Sequence, residues 1–269
     1  MKSFKLGFIG VGVMGEAIIN GIITANAMKA SDIYVNDIDY AKLIAMVDNY
    51  GVNAKQTVDE LLEIVDIVFL AIKPVACQKL LSDMSHKVHG KAIFSIVTGW
   101  STEKLCNYLP QDTRILNVMP NVAAIAGEAM SVLSANNTLT PEELQFAYKI
   151  FGSFGDTDML DEKYFDIVTG ISGSGPAYVF MFIEALMQAG VYNGLPAKTA
   201  RKLAVQTVYG ASKLLKMSER HPADLRDTVC TPGGTTIEAV YELENRAFKS
   251  TVMSAVDKCT KKYRLMAMK

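Results

Sequence analysis

A chain of 269 residues is long enough for two domains of ordinary size. Half of its residues are hydrophobic and a fifth are charged, a mixture that is typical of globular proteins and excludes a disordered or fibrous chain. The formal net charge of -1 provides no excess of positive charge for nucleic-acid binding, so we expect small-molecule partners and no nucleic acid.

The four cysteines are scattered, without the close pairs of a zinc site or the framework of a disulfide-rich domain. We therefore expect no metal and a reducing, cytoplasmic location. The first residues lead directly into an apolar run, which predicts no secretion signal. No apolar run approaches the roughly 18 residues of a membrane span, so no membrane association is expected.

The first part of the chain alternates predicted strands with predicted helices. The strands are predicted at 4–9, 33–35, 52–54, 66–72, 92–97, 114–119 and 156–160. The helices between them are predicted at 12–26, 39–50 and 101–108, with one more that begins after the capping sequence at Thr140. This alternation predicts an α/β fold, a doubly wound (Rossmann) parallel sheet forming a dinucleotide-binding domain over 1–161.

The remainder is predicted to be all helix, at 162–170, 176–192, 197–217, 222–229, 235–245 and 248–265. These helices carry Ala, Met and Phe on more than one face, as in PAYVFMFIEALMQAG, so a small helical module could not bury them alone. The pattern predicts an all-helical C-terminal dimerisation domain over 162–269, with a homodimer formed through its helices.

The segment 10–15 has the spacing G-x-G-x-x-G between the first predicted strand and the first predicted helix. In that setting it indicates a dinucleotide site, because the glycines permit a tight turn, close approach to a pyrophosphate and close packing of the helix. A tight turn without a ligand is the alternative. The residues predicted to bind the cofactor at this helix N-terminus are Gly10, Gly12, Val13, Met14 and Gly15.

Two further segments are predicted to border the cofactor. Asp37 follows the second strand, where the fingerprint calls for an acidic residue about 20 positions on that bonds the adenosine ribose. Its charge would repel a 2′-phosphate and no arginine lies nearby, so NADH is favoured over NADPH; a solvated turn aspartate is the alternative. The turn Ala71-Ile72-Lys73-Pro74 lies at the carboxyl end of a strand, where ligands bind in such sheets; a generic strand-to-helix turn is its alternative.

Two strings in the helical half are more specific: SGSGPAY at 172–178 and CTPGGTTIEAVYELE at 230–244. With GFIGVGVMG, AIKP and MPN, they resemble the pyrroline-5-carboxylate reductase family in order and spacing over essentially the whole chain. The resemblance implies an NAD(P)H-dependent oxidoreductase acting on a C=N bond, with hydride transfer to the cyclic imine 1-pyrroline-5-carboxylate giving L-proline, the last step of proline biosynthesis. It also implies a homo-oligomer, with decamers among the assemblies that the family forms.

The PGGTT segment leads into a helix, so its backbone amides can form a cradle for the substrate carboxylate. Gly233 and Gly234 allow close approach, whereas Thr235 and Thr236 can either cap the helix or bind substrate. The resemblance makes Thr236 the catalytic hydroxyl beside the imine nitrogen and gives Gly234 and Thr235 mainly amide roles. It also implies substrate contacts for Glu219, otherwise an exposed helix-end residue, and for the segment that begins at Ser174.

The chain departs from the family's usual pattern at Val97-Thr98-Gly99-Trp100, at Asn117 and at Val122-Ala123. In the family these positions lie near the nicotinamide, so Thr98 and Asn121 are predicted to bind cofactor, and the departures bear on cofactor affinity and ring placement. Two alternatives stay open: a paralogous imine or ketimine reductase with another substrate, and a non-catalytic nicotinamide-binding regulatory protein.

Overall fold

The computed structural model describes residues 4–267, in two compact units. The first unit takes the described residues up to Gly173 and those from Cys259 onward, and the second unit is Ser174–Lys258. The predicted division into domains 1–161 and 162–269 stays a prediction. The Rossmann-like sheet followed by an all-helical region confirms the predicted fold class.

The first unit is built on an eight-stranded sheet with the strand order β3-β2-β1-β4-β5-β6-β7-β8. The strands are β1 (Leu6–Ile9), β2 (Ile33–Asn36), β3 (Asn53–Ala54), β4 (Ile67–Leu70), β5 (Ala92–Ser95), β6 (Arg114–Met119), β7 (Ala129–Ser134) and β8 (Gly155–Leu160). The order reverses between β1 and β4, which is the switch point where such sheets bind their ligands.

The predicted parallel sheet has one antiparallel pair. Strand β7, which the sequence did not predict, runs antiparallel to β6, with Val118 opposite Leu133. Only a short 3-10 helix, Val122–Ala126, and a turn at Gly127 join the two strands. A parallel return needs a crossover of a dozen or more residues, so this short connection forces the antiparallel pairing.

Helices cover both faces of the sheet: α1 (Val13–Thr24), α2 (Tyr40–Tyr50), α3 (Val58–Leu62), α4 (Pro74–Met84), α5 (Thr102–Cys106), α6 (Pro141–Phe151) and α7 (Phe165–Val168). One face packs six buried phenylalanines, among which Phe8 and Phe69 stack with ring centroids 4.6 Å apart. Alternate residues of the same strands, such as Val68 and Ile93, pack on the other face. The central strands are therefore buried on both faces.

The predicted start of α6 is confirmed, including its capping box between Thr140 and Glu143. Glu143 is buried and also accepts from Arg114, with Nε to Oε2 at 2.8 Å and Nη2 to Oε1 at 2.7 Å. Burial alone would raise the pKa of Glu143, but the hydrogen bonds and charge of Arg114 hold that pKa below its usual range. This pair fastens β6 to α6.

The predicted helix at 162–170 is wrong in detail. A 3-10 turn, Glu162–Tyr164, precedes α7, and a π-helix, Thr169–Gly173, follows it. The Thr169 hydroxyl bonds its own turn, donating to the Phe165 carbonyl at 2.7 Å. Such wide turns are often found at functional sites, and this one leads into the SGSGPAY string.

The second unit consists of α8 (Gly175–Tyr192), α9 (Ala197–Lys216), α10 (Pro222–Val229), α11 (Thr235–Asn245) and the first half of α12 (Phe248–Ala267). Helices α8 and α9 pack together, and a Cβ at Gly190 would lie 3.0 Å from the Ala200 Cβ. Among residues 174–258 only Ala200 and Ala204 are buried. Large apolar side chains such as Phe180, Met181 and Tyr192 are exposed, as expected of an interface between copies.

Candidate active site

The glycine-rich turn connects β1 to α1 at the switch point of the sheet. Gly10 has a φ of 94°, and its N–H donates to the Asn36 carbonyl at 2.8 Å. A Cβ there would lie 2.5 Å from the Ala71 carbonyl oxygen, and a Cβ at Gly15 would lie 2.5 Å from the Gly10 carbonyl oxygen. Both positions therefore require glycine for the turn itself, whether or not a ligand binds.

Gly12 is different, because the fold places no demand on it. Its φ of -67° suits any residue, and a Cβ there would meet nothing within 4 Å. It is the N-cap of α1, and no side chain caps this helix start. The first amides of the helix thus face open space, and a side chain at Gly12 would intrude on a bound anion. The turn fits the pyrophosphate of a dinucleotide.

Asp37 binds the same turn from the end of β2. Its Oδ2 accepts from the Val11 N–H at 2.8 Å, and its Oδ1 accepts from the Asp39 N–H at 2.9 Å. The carboxylate therefore fastens the glycine-rich turn to the start of α2, rather than lying free in a solvated turn. Each carboxylate oxygen keeps a further lone pair that can accept from a ribose hydroxyl. The contact of Asp37 with the ribose stays a prediction.

The ends of β4 and β5 lie beside this turn. Ile9, Leu70, Ser95 and Asn117 stand level in adjacent strands, so the segments that follow the first three lie at one edge of the sheet. The Ala71 N–H donates to the Ile9 carbonyl at 3.0 Å. The predicted turn 71–74 therefore borders the glycine-rich turn, with Lys73 as the N-cap and Pro74 as the first residue of α4.

A second turn at this edge, residues 97–102, carries Thr98. Asn117 Nδ2 donates to the Trp100 carbonyl at 3.0 Å and also to the carboxylate of Glu162. That carboxylate accepts in addition from the Thr102 N–H at 3.0 Å. Sequence reasoning did not identify Glu162, because it lies in no motif and is 60 positions from Thr102 along the chain.

Asn121 connects two of the diagnostic strings. Its Nδ2 donates to the Ser172 carbonyl at 3.2 Å, and its Oδ1 accepts from the Ala123 N–H at 3.2 Å. These bonds join the MPN string to the π-helix, whose last two residues are the first two of SGSGPAY. The side-chain amide of Asn121 is engaged with protein, and its predicted contact with cofactor stays a prediction.

In the second unit, the PGGTT segment forms the start of α11. Gly233 has a φ of 67°, and a Cβ at Gly234 would lie 2.4 Å from the Thr231 Oγ1. Gly234 is the N-cap of the helix, and no side chain caps it. Thr235 and Thr236 therefore do not cap the helix, contrary to one of the alternatives. The first amides of α11 are free to bind an anion.

The remaining predicted substrate residues also lie in the second unit. Ser174 is the N-cap residue of α8, and Pro176 stands in its first turn as the sequence predicted. Glu219 is exposed in the loop between α9 and α10. His221, which follows shortly, caps α10 by accepting from the Ala223 N–H through Nδ1 at 3.2 Å. Glu219 thus lies at a helix end, and its substrate contact stays a prediction.

Neither a metal cluster nor a membrane span is found within residues 4–267. No group of three or more His, Cys, Asp or Glu side chains there could hold a metal ion. None of the helices in that range is both long and apolar enough to cross a membrane.

A glycine-rich turn at a sheet switch point, followed in the same chain by a helical unit, defines a two-domain nicotinamide-dependent oxidoreductase. The family model described as pyrroline-5-carboxylate reductase dimerisation matches residues 162–266, and the one described as NADP oxidoreductase coenzyme F420-dependent matches residues 5–99. The chain is 39% identical to the pyrroline-5-carboxylate reductase of Escherichia coli (strain K12) over 96% of both chains. It belongs to the pyrroline-5-carboxylate reductase family.

Other relatives give the same result. The pyrroline-5-carboxylate reductase of Arabidopsis thaliana is 39% identical, with 98% of this chain and 95% of that protein covered. The crystal structure of Plasmodium falciparum pyrroline carboxylate reductase with NADP bound is 34% identical, covers 99% of both chains and superposes with a TM-score of 0.90. A pyrroline-5-carboxylate reductase structure from Coxiella burnetii, 28% identical, covers 98% of this chain and 99% of that one, with a TM-score of 0.92.

Proposed function

We propose that the chain reduces the C=N bond of 1-pyrroline-5-carboxylate with NADH or NADPH and releases L-proline, the last step of proline biosynthesis. The observation that carries this proposal is the PGGTT start of α11, which is uncapped and rich in free donors in a chain of this family. An anionic ring needs such donors for its carboxylate and a hydroxyl for its nitrogen. Both kinds of group stand together in this segment.

The dinucleotide is held by the domain predicted at 1–161. The amides that follow Gly12 bind its pyrophosphate, Asp37 binds the adenosine ribose, and the edge formed by 71–74, Thr98 and Asn121 borders the nicotinamide. The bound dihydronicotinamide supplies the hydride. Because Asp37 is anionic, we expect NADH to be preferred. Measurement of kcat/KM with both cofactors tests this, and a strong preference for NADPH would contradict it.

The substrate is held by the domain predicted at 162–269. The amides at Gly234 and Thr235 bind the carboxylate of the imine, and Gly233 leaves room for the ring. The Thr236 hydroxyl holds the ring nitrogen in place, with Glu219 as a nearby carboxylate. The substrate binds as the iminium ion, already protonated on nitrogen in solution. The hydride adds to the imine carbon, and the π electron pair of the C=N bond moves to the nitrogen, which keeps its proton. These residues orient a reactive ion instead of acting as strong acids.

The test is the substitution Thr236→Ala. In the wild type the Thr236 hydroxyl has no hydrogen-bond partner among the described residues. The melting temperature of the variant should therefore stay close to that of the wild type. A lost hydrogen bond to a charged group corresponds to a fall in kcat/KM of about ten- to a hundredfold. Thr236→Ser should restore much of the activity, and Thr235→Ala should lose less. Wild-type kinetics in Thr236→Ala would remove this residue from the mechanism.

A second assay addresses substrate choice. NADH oxidation is followed with 1-pyrroline-5-carboxylate and then with its six-membered homologue. Faster turnover of the larger ring would identify a paralogous imine reductase, and no turnover of either, with cofactor still bound, would identify a regulatory protein.

The chain forms homo-oligomers, and we infer that copies associate through the helices of the second unit, with a dimer as the basic assembly and a decamer as the larger one. The exposed apolar side chains of α8 and α9 support this arrangement. We also propose a cytoplasmic location, which is supported by four scattered cysteines that form no disulfide with one another. The net charge of -1 supports a small-molecule substrate and no nucleic-acid partner.

A further inference from the structure

The 97–102 turn lies at the edge of the sheet that carries the glycine-rich turn. It connects β5 to α5, and at its start the Ile96 N–H donates to the Leu70 carbonyl at 3.1 Å. The turn therefore begins beside the 71–74 segment, which borders the glycine-rich turn. A dinucleotide bound along this edge would meet the 97–102 turn, so the position of this turn matters for cofactor binding.

The first four residues of this turn form a tight β-turn. The Trp100 N–H donates to the Val97 carbonyl at 3.2 Å, and Gly99 has a φ of 79° in the third position, where a positive φ favours glycine. Thr98, which we predict to bind cofactor, stands in the second position, at the tip. The β-turn itself defines the shape of the tip, whereas the contacts of the residues that follow determine where the tip lies.

Glu162 holds those following residues. Its Oε1 accepts from the Thr102 N–H at 3.0 Å and from the Thr102 hydroxyl at 3.1 Å, and its Oε2 accepts from the same N–H at 3.1 Å. Asn117 Nδ2 donates to Oε1 of Glu162 and also to the Trp100 carbonyl, the latter at 3.0 Å. One carboxylate thus collects donors from β6 and from the start of α5, and all of these donors are neutral.

The carboxylate that holds the turn is carried by a fixed backbone. The Glu162 N–H donates to Asn136 Oδ1 at 2.9 Å, and Glu162 begins the 3-10 turn that follows β8. Phe165, directly after that turn, is buried with only 2% of its surface exposed. Glu162 is therefore held from behind by the sheet and the core, and its side chain transmits that position to the 97–102 turn.

Close packing does not hold the turn on this side. A cavity of about 320 Å³ opens beside it, lined by Gly99, Ser101, Asn117 and Glu162 among others. Where side chains do not fill the space, few dispersion contacts resist a small shift of the backbone. The hydrogen bonds of Glu162 and Asn117 therefore set the position of the turn.

We propose that Glu162 is a positioning residue for cofactor binding, whose carboxylate acts through Thr102 and Asn117 to hold the 97–102 turn, and Thr98 with it, against the bound dinucleotide. This proposal rests on the proposed function, since it assumes that a dinucleotide occupies this edge. Glu162 does not contact the reacting atoms and acts only through the turn. The proposal gives a role in cofactor binding to a residue that stands in none of the diagnostic strings.

The experiment compares Glu162→Ala with Glu162→Gln and uses Trp100, the single tryptophan of the chain, as a reporter because it is 6% exposed. In Glu162→Ala we expect a red-shifted emission and stronger acrylamide quenching without any ligand. We also expect the dissociation constant for NADH, measured by titration calorimetry, to rise about tenfold, as the loss of one hydrogen bond to a charged group allows. In Glu162→Gln the amide oxygen can take the place of Oε1 and keep all three donors, so emission and binding should stay close to those of the wild type.

Glu103→Ala is the matched control. Glu103 is an exposed carboxylate in the first turn of α5, so its removal changes the charge beside the turn by the same amount without removing the acceptor for Thr102. Thr102→Val is the second variant, because it keeps the shape of the side chain and loses only the hydroxyl bond to Glu162. It should change emission and NADH binding in the same direction as Glu162→Ala but less, and it provides the test if Glu162→Ala does not fold.

Steady-state kinetics separate this role from a general loss of stability. In Glu162→Ala and Thr102→Val the KM for NADH should rise, whereas the KM for the imine should stay within about twofold of the wild type. Wild-type emission and quenching in Thr102→Val and in a folded Glu162→Ala would overturn the proposal, as would a shifted emission with an unchanged dissociation constant for NADH. A wild-type chain that binds no NADH or reduces no imine would contradict the proposed function instead, and the emission measurement without ligand distinguishes the two failures.

Discussion

Substitution of Gly12 by alanine should separate cofactor binding from stability. At this position an added methyl group meets no protein atom within 4 Å, and the φ of -67° is ordinary for alanine. Alanine is a poorer N-cap than glycine, which costs roughly 0.5–1 kcal/mol. Lower entropy of the unfolded chain offsets about 0.4–1 kcal/mol of that cost, so the melting temperature should change by no more than about 3 °C.

Binding should respond quite differently. The methyl group would occupy the space into which the free amides of α1 point, and a bound pyrophosphate would lose at least one charge-assisted hydrogen bond. Such a bond is worth about 1.5–3 kcal/mol, which corresponds to a rise in the dissociation constant of about ten- to a hundredfold. Fluorescence titration with NADH measures the binding, and calorimetry measures the stability.

Two further substitutions provide the comparison. In Gly15→Ala the methyl group would lie 2.5 Å from the Gly10 carbonyl, so this variant should lose about 1–3 kcal/mol of stability as well as binding. Gly152→Ala, with open space and a φ of -70°, should change neither property much. If Gly12→Ala bound NADH like the wild type, the glycine-rich turn would not hold the pyrophosphate. If the melting temperature of Gly12→Ala were as low as that of Gly15→Ala, the space beside Gly12 would not be open.

Two other predictions concern stability and assembly. Arg114→Met leaves Glu143 buried without its partner, at a cost of about 3 kcal/mol at neutral pH, the low end for a buried pair because 28% of the Arg114 side chain is exposed. The wild-type ion pair loses its stabilisation as pH falls through the lowered pKa of Glu143. The difference in free energy of unfolding between variant and wild type should therefore be smaller in denaturation measured below about pH 4. Phe180→Asp, at a side chain 64% exposed on α8, should shift the oligomer towards monomer in sedimentation velocity, whereas Ile44→Asp on α2 should not.

The sequence predicted the parts of the fold that depend on local patterns. Glycine spacing between a strand and a helix located the turn at Gly10, and the T-P-E-E sequence located the start of α6. Alternating strands and helices predicted a doubly wound parallel sheet, which the first half of the chain forms. These features could be predicted because each is determined by residues that are close together in the chain.

The features that the sequence did not reveal depend on contacts between distant residues. Strand β7 has a short apolar pattern, AMSVLS, and its direction is set by the short connection after β6. The π-helix at Thr169–Gly173 forms in a segment that reads as an ordinary helix. Glu162 contacts the 97–102 turn from 60 positions away in the chain and stands in no motif.

The departures from the family's usual pattern acquire a common physical explanation from these contacts. Trp100 belongs to the altered VTGW segment, and Asn117 stands where the family often has arginine, yet the amide of Asn117 donates to the Trp100 carbonyl. An amide is short and neutral enough to satisfy both that carbonyl and the Glu162 carboxylate from a buried position. The two departures therefore form one arrangement. Both departures lie in the first unit, and the PGGTT segment of the second unit keeps the family pattern. Any difference from relatives should therefore be larger in cofactor binding than in substrate choice.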